Sequence, residues 1–289
     1  MNKPLIFTDY LSDASFDCKV DGLIINSSLY STFNDVVFSY TEIKNLVKKI
    51  KNKSFKVIIN LDRIIPENEI EKFLKFLKDI SELNFDYIIY SDYAVLNNID
   101  EKFYDKLIYD PKTLICTKEE LDVIPTKAFI SSELSLNELA DFNNAKKSIA
   151  IDAFGYRQMM YSRRPLLSLV MPKGKVKANK LYNLVEETRE DNYKIYETKR
   201  NKDNYGTFVY NKGIYCLFNE LKELNNISII RLNSMFLKDV IVAVSHEYYN
   251  LINGLNPNYQ NLLKIFKDNN LEVDNPFLDC ESVLLKGCE

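Results

Sequence analysis

The chain has 289 residues, of which 46% are apolar, and its 38 basic and 41 acidic side chains leave a net charge of −3. That length and apolar content exclude a small stapled module and suit one large domain, or one domain with an appendage. The charge balance gives no global positive field that would draw in nucleic acid or an anionic membrane.

The N-terminus, MNKPLIFTDY, carries only a short apolar run and does not read as a secretory signal. No stretch approaches the roughly 18 apolar residues needed to cross a bilayer. A cytoplasmic protein without a membrane partner is expected. Cys18, Cys116, Cys216, Cys280 and Cys288 are odd in number, scattered and without a CxxC pair. They read as reduced thiols, with no disulfide framework and no zinc site from local pairs.

Short β-branched apolar runs recur along the chain: PLIF (4–7), GLII (22–25), KVIIN (56–60), YIIY (87–90), KLIY (106–109), KAFIS (127–131), SIAIDAF (148–154) and SIIRL (228–232). Helical segments lie between them. Ser39–Glu42, Thr117–Glu120 and Ser135–Glu138 fit capping boxes. Segment 66–82 sets Ile70, Phe73, Leu74 and Leu77 on one helical face, and 237–252 reads similarly. Continuous apolar strands alternating with helices predict an α/β fold, a TIM-like (β/α)8 barrel. The gap from 154 to 228 is too long for one helix. YKIYETKR and YGTFVY read there as strands around a polar turn at 199–204. The expected organisation is a single barrel domain over 1–255, a β-rich insertion at about 171–226 before the last strand, and a C-terminal tail over 256–289.

A barrel carries its chemistry after the C-terminal ends of its strands. Those positions hold Asp9, Tyr10, Asn26, Ser27, Asn60, Asp62, Arg63, Ser91, Asp92, Asp110, Ser131, Glu133 and the segment from Gly155 onward. In a chain with seven glycines, Gly155 at a strand end points to a positive φ or a close backbone approach. Arg157, Arg163 and Arg164 follow. Guanidiniums grip a carboxylate or phosphate bidentately; the alternative is that they pair with Asp62, Asp92, Glu133 or Asp152 and hold the loops. Tyr161 and Ser162 offer hydrogen bonds beside them. Glu133 is the first acid/base candidate, with Asp92 and Asp152. Asn60 and Arg63 complete the expected ligand contacts, and Glu187, Arg189 and Glu197 are candidates to reach the mouth from the insertion. No metal site is assigned. The sole histidine, His246, sits on an expected helix and has no evident nucleophile partner. No HExxH occurs, which excludes a zincin. Lys173, Lys175, Lys177 and Lys180 form a basic loop, with RNA contact as the less favoured reading.

Four motifs carry a resemblance. IAIDAFGYRQMMYSRRPL (149–166), FISSELSLNEL (129–139), YDPKTLIC (109–116) and LVEETREDNYKIYETKRNKDNYGTFVY (184–210) together resemble, in order and spacing, the collagenase-like peptidase family, over roughly residues 1 to 255. The resemblance implies a TIM-like barrel and a peptidase or hydrolase acting on a peptide or small anionic ligand. Other members of that family support hydroxylation of RNA or of quinone precursors and carry a four-cysteine iron–sulfur cluster. This chain departs from them. Gln158 and Pro165 stand where cluster-bearing members have cysteines, Ser132 replaces a usual proline and Phe208 a histidine. Only Cys216 falls on a family cysteine position. One thiolate does not hold such a cluster, so no cofactor is expected. A second reading follows from the same gaps: a catalytically degenerate partner that binds a related family protein or RNA.

Overall fold

The computed structural model describes residues 3–112, 114–186, 191–199, 205–278 and 280. Its main sheet contains β1 (Leu5–Asp9), β2 (Gly22–Asn26), β3 (Lys56–Leu61), β4 (Tyr87–Tyr90), β5 (Leu107–Tyr109), β6 (Lys127–Ala128) and β7 (Ile149–Gly155). After β7 come β8 (Gln158–Ser162), β9 (Lys180–Glu186), β10 (Asp191–Lys199) and β11 (Tyr205–Asn211), which form a second sheet, before β12 (Tyr215–Cys216) and β13 (Ile227–Leu232) rejoin the first. The main sheet has nine strands in the order β12-β7-β13-β1-β2-β3-β4-β5-β6 and is parallel except for β12. It is curled, with helices along its outer face.

The apolar runs are continuous because both faces of these strands are buried. Leu23 and Ile25, Val57 and Ile59, and Ile88 and Tyr90 face the larger core. The alternate residues Phe7, Ile24, Ile58, Ile89, Ile108, Phe129, Ala150 and Ile229 form a separate buried cluster inside the curl. Each parallel strand contributes one of these, with Phe129 one residue beyond β6. Phe129 also makes a single parallel bridge to Ala150 of β7.

The helices are α1 (Tyr40–Asn52), α2 (Ile70–Ser81), α3 (Tyr93–Leu96), α4 (Lys118–Val123), α5 (Leu136–Asp141), α6 (Leu166–Val170), α7 (Ile241–Asn253) and α8 (Tyr259–Asp268). The capping boxes expected at Ser39, Thr117 and Ser135 are formed and start α1, α4 and α5. Ile43, Val47 and Ile50 of α1, and Phe73, Leu77 and Ile80 of α2, face the core. α2 begins later than the periodicity suggested because Glu67–Glu69 form a 3-10 turn after Pro66. No helix among the described residues is long and apolar enough to cross a membrane.

The second sheet is antiparallel, in the order β8-β11-β10-β9. It lies between the seventh and eighth parallel strands, where an insertion was expected, but starts at Gln158 rather than near 171. So Tyr161 and Ser162 are strand residues of this sheet and not part of a loop at the mouth. Tyr210 of β11 ties the sheet to the mouth by accepting a hydrogen bond from Asn34 Nδ2 at 2.8 Å.

Gly155 ends β7 with φ 122°, and a Cβ there would lie 2.5 Å from the Asn233 carbonyl oxygen. Both the conformation and the close approach require glycine. The chain turns there into the site.

Candidate functional site

Side chains on a strand repeat every two residues. Two positions past the interior apolar cluster, each parallel strand therefore turns a polar residue toward its C-terminal end. Phe7 is followed by Asp9, Ile24 by Asn26, Ile58 by Asn60, Ile89 by Ser91, Ile108 by Asp110, Phe129 by Ser131, Ala150 by Asp152 and Ile229 by Arg231. Six of these, Asp9, Asn26, Asn60, Asp110, Ser131 and Arg231, are buried polar groups. With Thr32, Asp62, Lys112, Ser132, Tyr156, Arg157 and Tyr215 above them, members of this layer line a cavity of about 70 Å³. That volume suits a few waters or one small polar group.

One charge chain crosses the layer. Lys112 Nζ lies 2.6 Å from Asp62 Oδ2 and 3.0 Å from Asp110 Oδ2. Arg231 Nη1 donates to Asp110 Oδ2 at 2.8 Å, and its Nε and Nη2 fork onto Asp152 at 2.5 and 2.7 Å. The guanidinium also lies 4.1 Å from the Phe129 ring centroid. Burial alone would raise the pKa of Asp110 and Asp62. Arg231 and Lys112 outweigh it at Asp110, and Lys112 at Asp62, so both carboxyls stay below their ordinary value. Burial also disfavours charged Lys112 and Arg231, but their carboxylate partners hold both above the usual range. These five side chains form a fixed network with three anions matched to two cations.

Two charged groups in the cavity have a different environment. Asp9 accepts from Asn26 Nδ2 at 2.9 Å and from Ser234 N and Oγ, each at 3.0 Å. Burial, the largest influence, pushes its pKa up against these hydrogen bonds and the more distant Arg231. Arg157 is the cation without a carboxylate in contact among the described residues. It is 5% exposed. Its Nη1 donates to Ser132 O at 2.6 Å; among the described residues its Nη2 reaches only Met159 Sδ at 3.7 Å and its buried Nε has no partner. Burial lowers its pKa; Tyr215, Glu133 and Asp274 oppose the shift from a distance. Asn60 donates to Asn26 Oδ1 at 2.8 Å, leaving its own buried Oδ1 unpaired.

Of the strand-end residues singled out from the sequence, Asp9, Asn60, Asp62, Asp152, Gly155 and Arg157 line the cavity. Asp152 is held in both oxygens by Arg231. Asp92 instead caps α3, accepting from Ala94 N at 2.8 Å and Ile65 N at 2.7 Å. Arg63 is tied to Glu69 at 3.1 and 3.2 Å and to Leu29 O at 2.7 Å. Glu133 is half-buried beside the lining residue Ser132 and outside the lining itself. Tyr161 stacks on Phe208 at 4.6 Å, and Ser162 Oγ accepts from Arg164 N at 3.2 Å. Arg163 and Arg164 are exposed beyond β8, so the three arginines do not gather. The β8 strand carries them away from Arg157. Glu197 is buried against Ser168. Glu187 and Arg189 lie outside the described residues. Lys112 and Arg231 were not singled out as site residues. The signal for Arg231 was available: it lies two residues after Ile229 in an apolar strand, so it must face inward.

The described cysteines, Cys18, Cys116, Cys216 and Cys280, are free thiols, and Cys288 lies outside the described residues. Cys216 is buried, its sulfur lies 3.5 Å from the Tyr248 hydroxyl, and burial pushes its thiol up to about 12. Among the described residues, no three His, Cys, Asp or Glu side chains are grouped to hold a metal ion.

The model of peptidase family U32 matches residues 27–272. Among solved structures, the U32 peptidase Mk0906 is similar at a TM-score of 0.44 with 10% identity, over 54% of this chain and 72% of that one. No curated protein matches the sequence.

Proposed function

The chain belongs to peptidase family U32, and on that premise we propose that it binds a small anionic group, such as the carboxylate of a peptide or small ligand, in the mouth cavity through Arg157. The observation that carries this reading is a buried guanidinium with an unpartnered Nε and no carboxylate in contact among the described residues. A buried cation is costly unless something pairs with it. A ligand oxyanion supplies what the fold withholds. Asn60 Oδ1 then offers an acceptor for a ligand N–H or O–H. In a hydrolase of this family, Asp9 is the carboxyl whose raised pKa suits proton transfer. Asp92 is taken up by capping α3, and Glu133 lies outside the cavity lining.

We read the curled sheet as a closed eight-stranded barrel. The Phe129–Ala150 bridge and the hydrogen bond from Ile130 N to Ala150 O at 3.0 Å support closure between β6 and β7. The scattered thiols do not fit a four-cysteine cluster, and a thiol pushed up as far as that of Cys216 is a poor thiolate. We assign no iron–sulfur cofactor, and place the protein in the cytoplasm.

One observation favours a second reading, a non-catalytic family member that acts by binding a related protein or RNA. Asp62, Asp110 and Asp152 are each tied to Lys112 or Arg231, which leaves Asp9 as the cavity carboxyl outside an ion pair among the described residues. The exposed Lys173, Lys175, Lys177 and Lys180, together with exposed Arg163 and Arg164, would face the partner.

Calorimetric titration with acetate, phosphate and short peptides tests the first reading. Binding that is lost in Arg157→Met supports it. Equal binding by wild type and Arg157→Met refutes it. Peptide hydrolysis lost in Asp9→Asn would add the catalytic part.

A further inference from the structure

The family match ends at residue 272, but the chain beyond it packs along β12 and against Arg157, beside the mouth cavity and outside its lining. Ile214 N donates to Glu272 O and Asp274 N to Ile214 O, each at 2.8 Å. Asn275 grips both backbone groups of Cys216. Its Oδ1 accepts from Cys216 N and its Nδ2 donates to Cys216 O, both at 2.9 Å. Leu278 O accepts from Leu136 N at 3.0 Å, and the Leu278 side chain is buried. These anchors bracket Phe277, whose ring centroid lies 4.6 Å from Arg157 Cζ. The Tyr215 ring lies 5.4 Å from the same atom.

The chemistry of the neighbour matters. A carboxylate beside Arg157 would neutralise it and occupy its N–H groups. An aromatic face stabilises a cation through its quadrupole and takes no N–H. Two aromatic rings therefore favour the charged form of a desolvated guanidinium without taking up its N–H groups. Tyr215 lies within the matched region, and Phe277 comes from outside it.

We infer that Phe277 is a positioning residue of the anion site, and that segment 272–278 is part of the functional mouth rather than a passive tail. This rests on the reading of Arg157 as the anion-binding group. Phe277 touches Arg157 and need not touch the ligand. It sets where the guanidinium points and lowers the cost of leaving it unpaired.

The test uses the full chain labelled with 15N-arginine. The Arg157 Nε–H resonance is identified by its loss in Arg157→Lys, and inorganic phosphate is the probe. In the wild type this resonance is shifted by ring current and moves on phosphate addition. Phe277→Leu is expected to remove much of the ring-current shift and to weaken phosphate binding about 3- to 10-fold. Phe277→Tyr, which keeps the ring, is expected to restore both. A merely structural role would not make binding follow aromaticity. If wild type binds phosphate and Phe277→Leu changes neither the resonance nor the affinity, the positioning role is refuted alone. If phosphate moves nothing in the wild type, the reading of the cavity itself is refuted, and the positioning role falls with it.

Discussion

Replacing Arg231 with Met should cost more than most single substitutions in this chain. The side chain is 8% exposed and makes two hydrogen bonds to Asp152 and one to Asp110. Methionine replaces much of the stem volume, so the loss is chiefly of charge pairing. Hydrogen bonds to charged groups contribute about 1.5–3 kcal/mol each, which puts the gross loss at about 5–9 kcal/mol. Two effects reduce it. Asp152 is 26% exposed and can turn toward water, and Asp110 keeps Lys112 at 3.0 Å. Breaking a buried pair while leaving its partner behind typically costs about 3–5 kcal/mol, and that is the expected net effect. It is a large share of the roughly 5–15 kcal/mol that holds a domain together. Urea unfolding at neutral pH measures it. The loss should shrink as the medium is acidified, because Asp110 without Arg231 has a higher folded pKa and its neutral form no longer needs a partner. A loss under about 1 kcal/mol, well below the range for breaking a buried pair, would refute the reasoning, as would a loss that does not change with pH.

Arg157→Met should abolish anion binding while leaving stability unchanged or slightly higher, because it removes a desolvated cation that has no carboxylate contact among the described residues; urea unfolding and calorimetry on the same variant check both halves. Gly155→Ala should destabilise by about 2 kcal/mol or more, from its positive φ and the 2.5 Å approach to Asn233 O, with the same unfolding assay as the check. The lowered pKa values of Asp62 and Asp110 mean that their contribution is full above the ordinary carboxylate value of about 3.9 and is lost as pH falls below it. Asp9 acts in the opposite sense: its pKa is raised, so its contribution is full below the ordinary value and fades as pH rises through the folded one. Unfolding midpoints between acid and neutral pH should therefore drop steeply at the acid end, and Asp9→Asn should remove the part of the stability that is lost as pH rises above the ordinary carboxylate value.

The strands were legible because burial on both faces leaves an unbroken β-branched run, as in KVIIN and YIIY. The capping boxes at Ser39, Thr117 and Ser135 were legible because a local hydrogen-bond exchange sets the spacing of their residues. The site was harder to read. A list of polar residues at strand ends mixes two faces. Asn60 and Asp152 lie in phase with the interior cluster and enter the cavity, whereas Asp92 is out of phase with Ile89 and caps α3 instead. Arg231 was hidden by its apolar neighbours, although Ile229 two residues earlier fixed its direction. The separation of Arg163 and Arg164 from Arg157 depends on β8 pairing with β11, a contact across the insertion that no local pattern encodes. Phe277 could not be placed at all from sequence, since its contact with Arg157 arises from the return of the C-terminal segment.

The central claim is that the mouth cavity holds an oxyanion on Arg157. Anomalous X-ray diffraction from crystals soaked in selenate tests it most directly. The account predicts a selenium peak inside the cavity within hydrogen-bonding distance of Arg157 Nε in the wild type, and no such peak in Arg157→Met. Selenate found only on surface lysines, with the cavity empty of it in the wild type, would contradict the account.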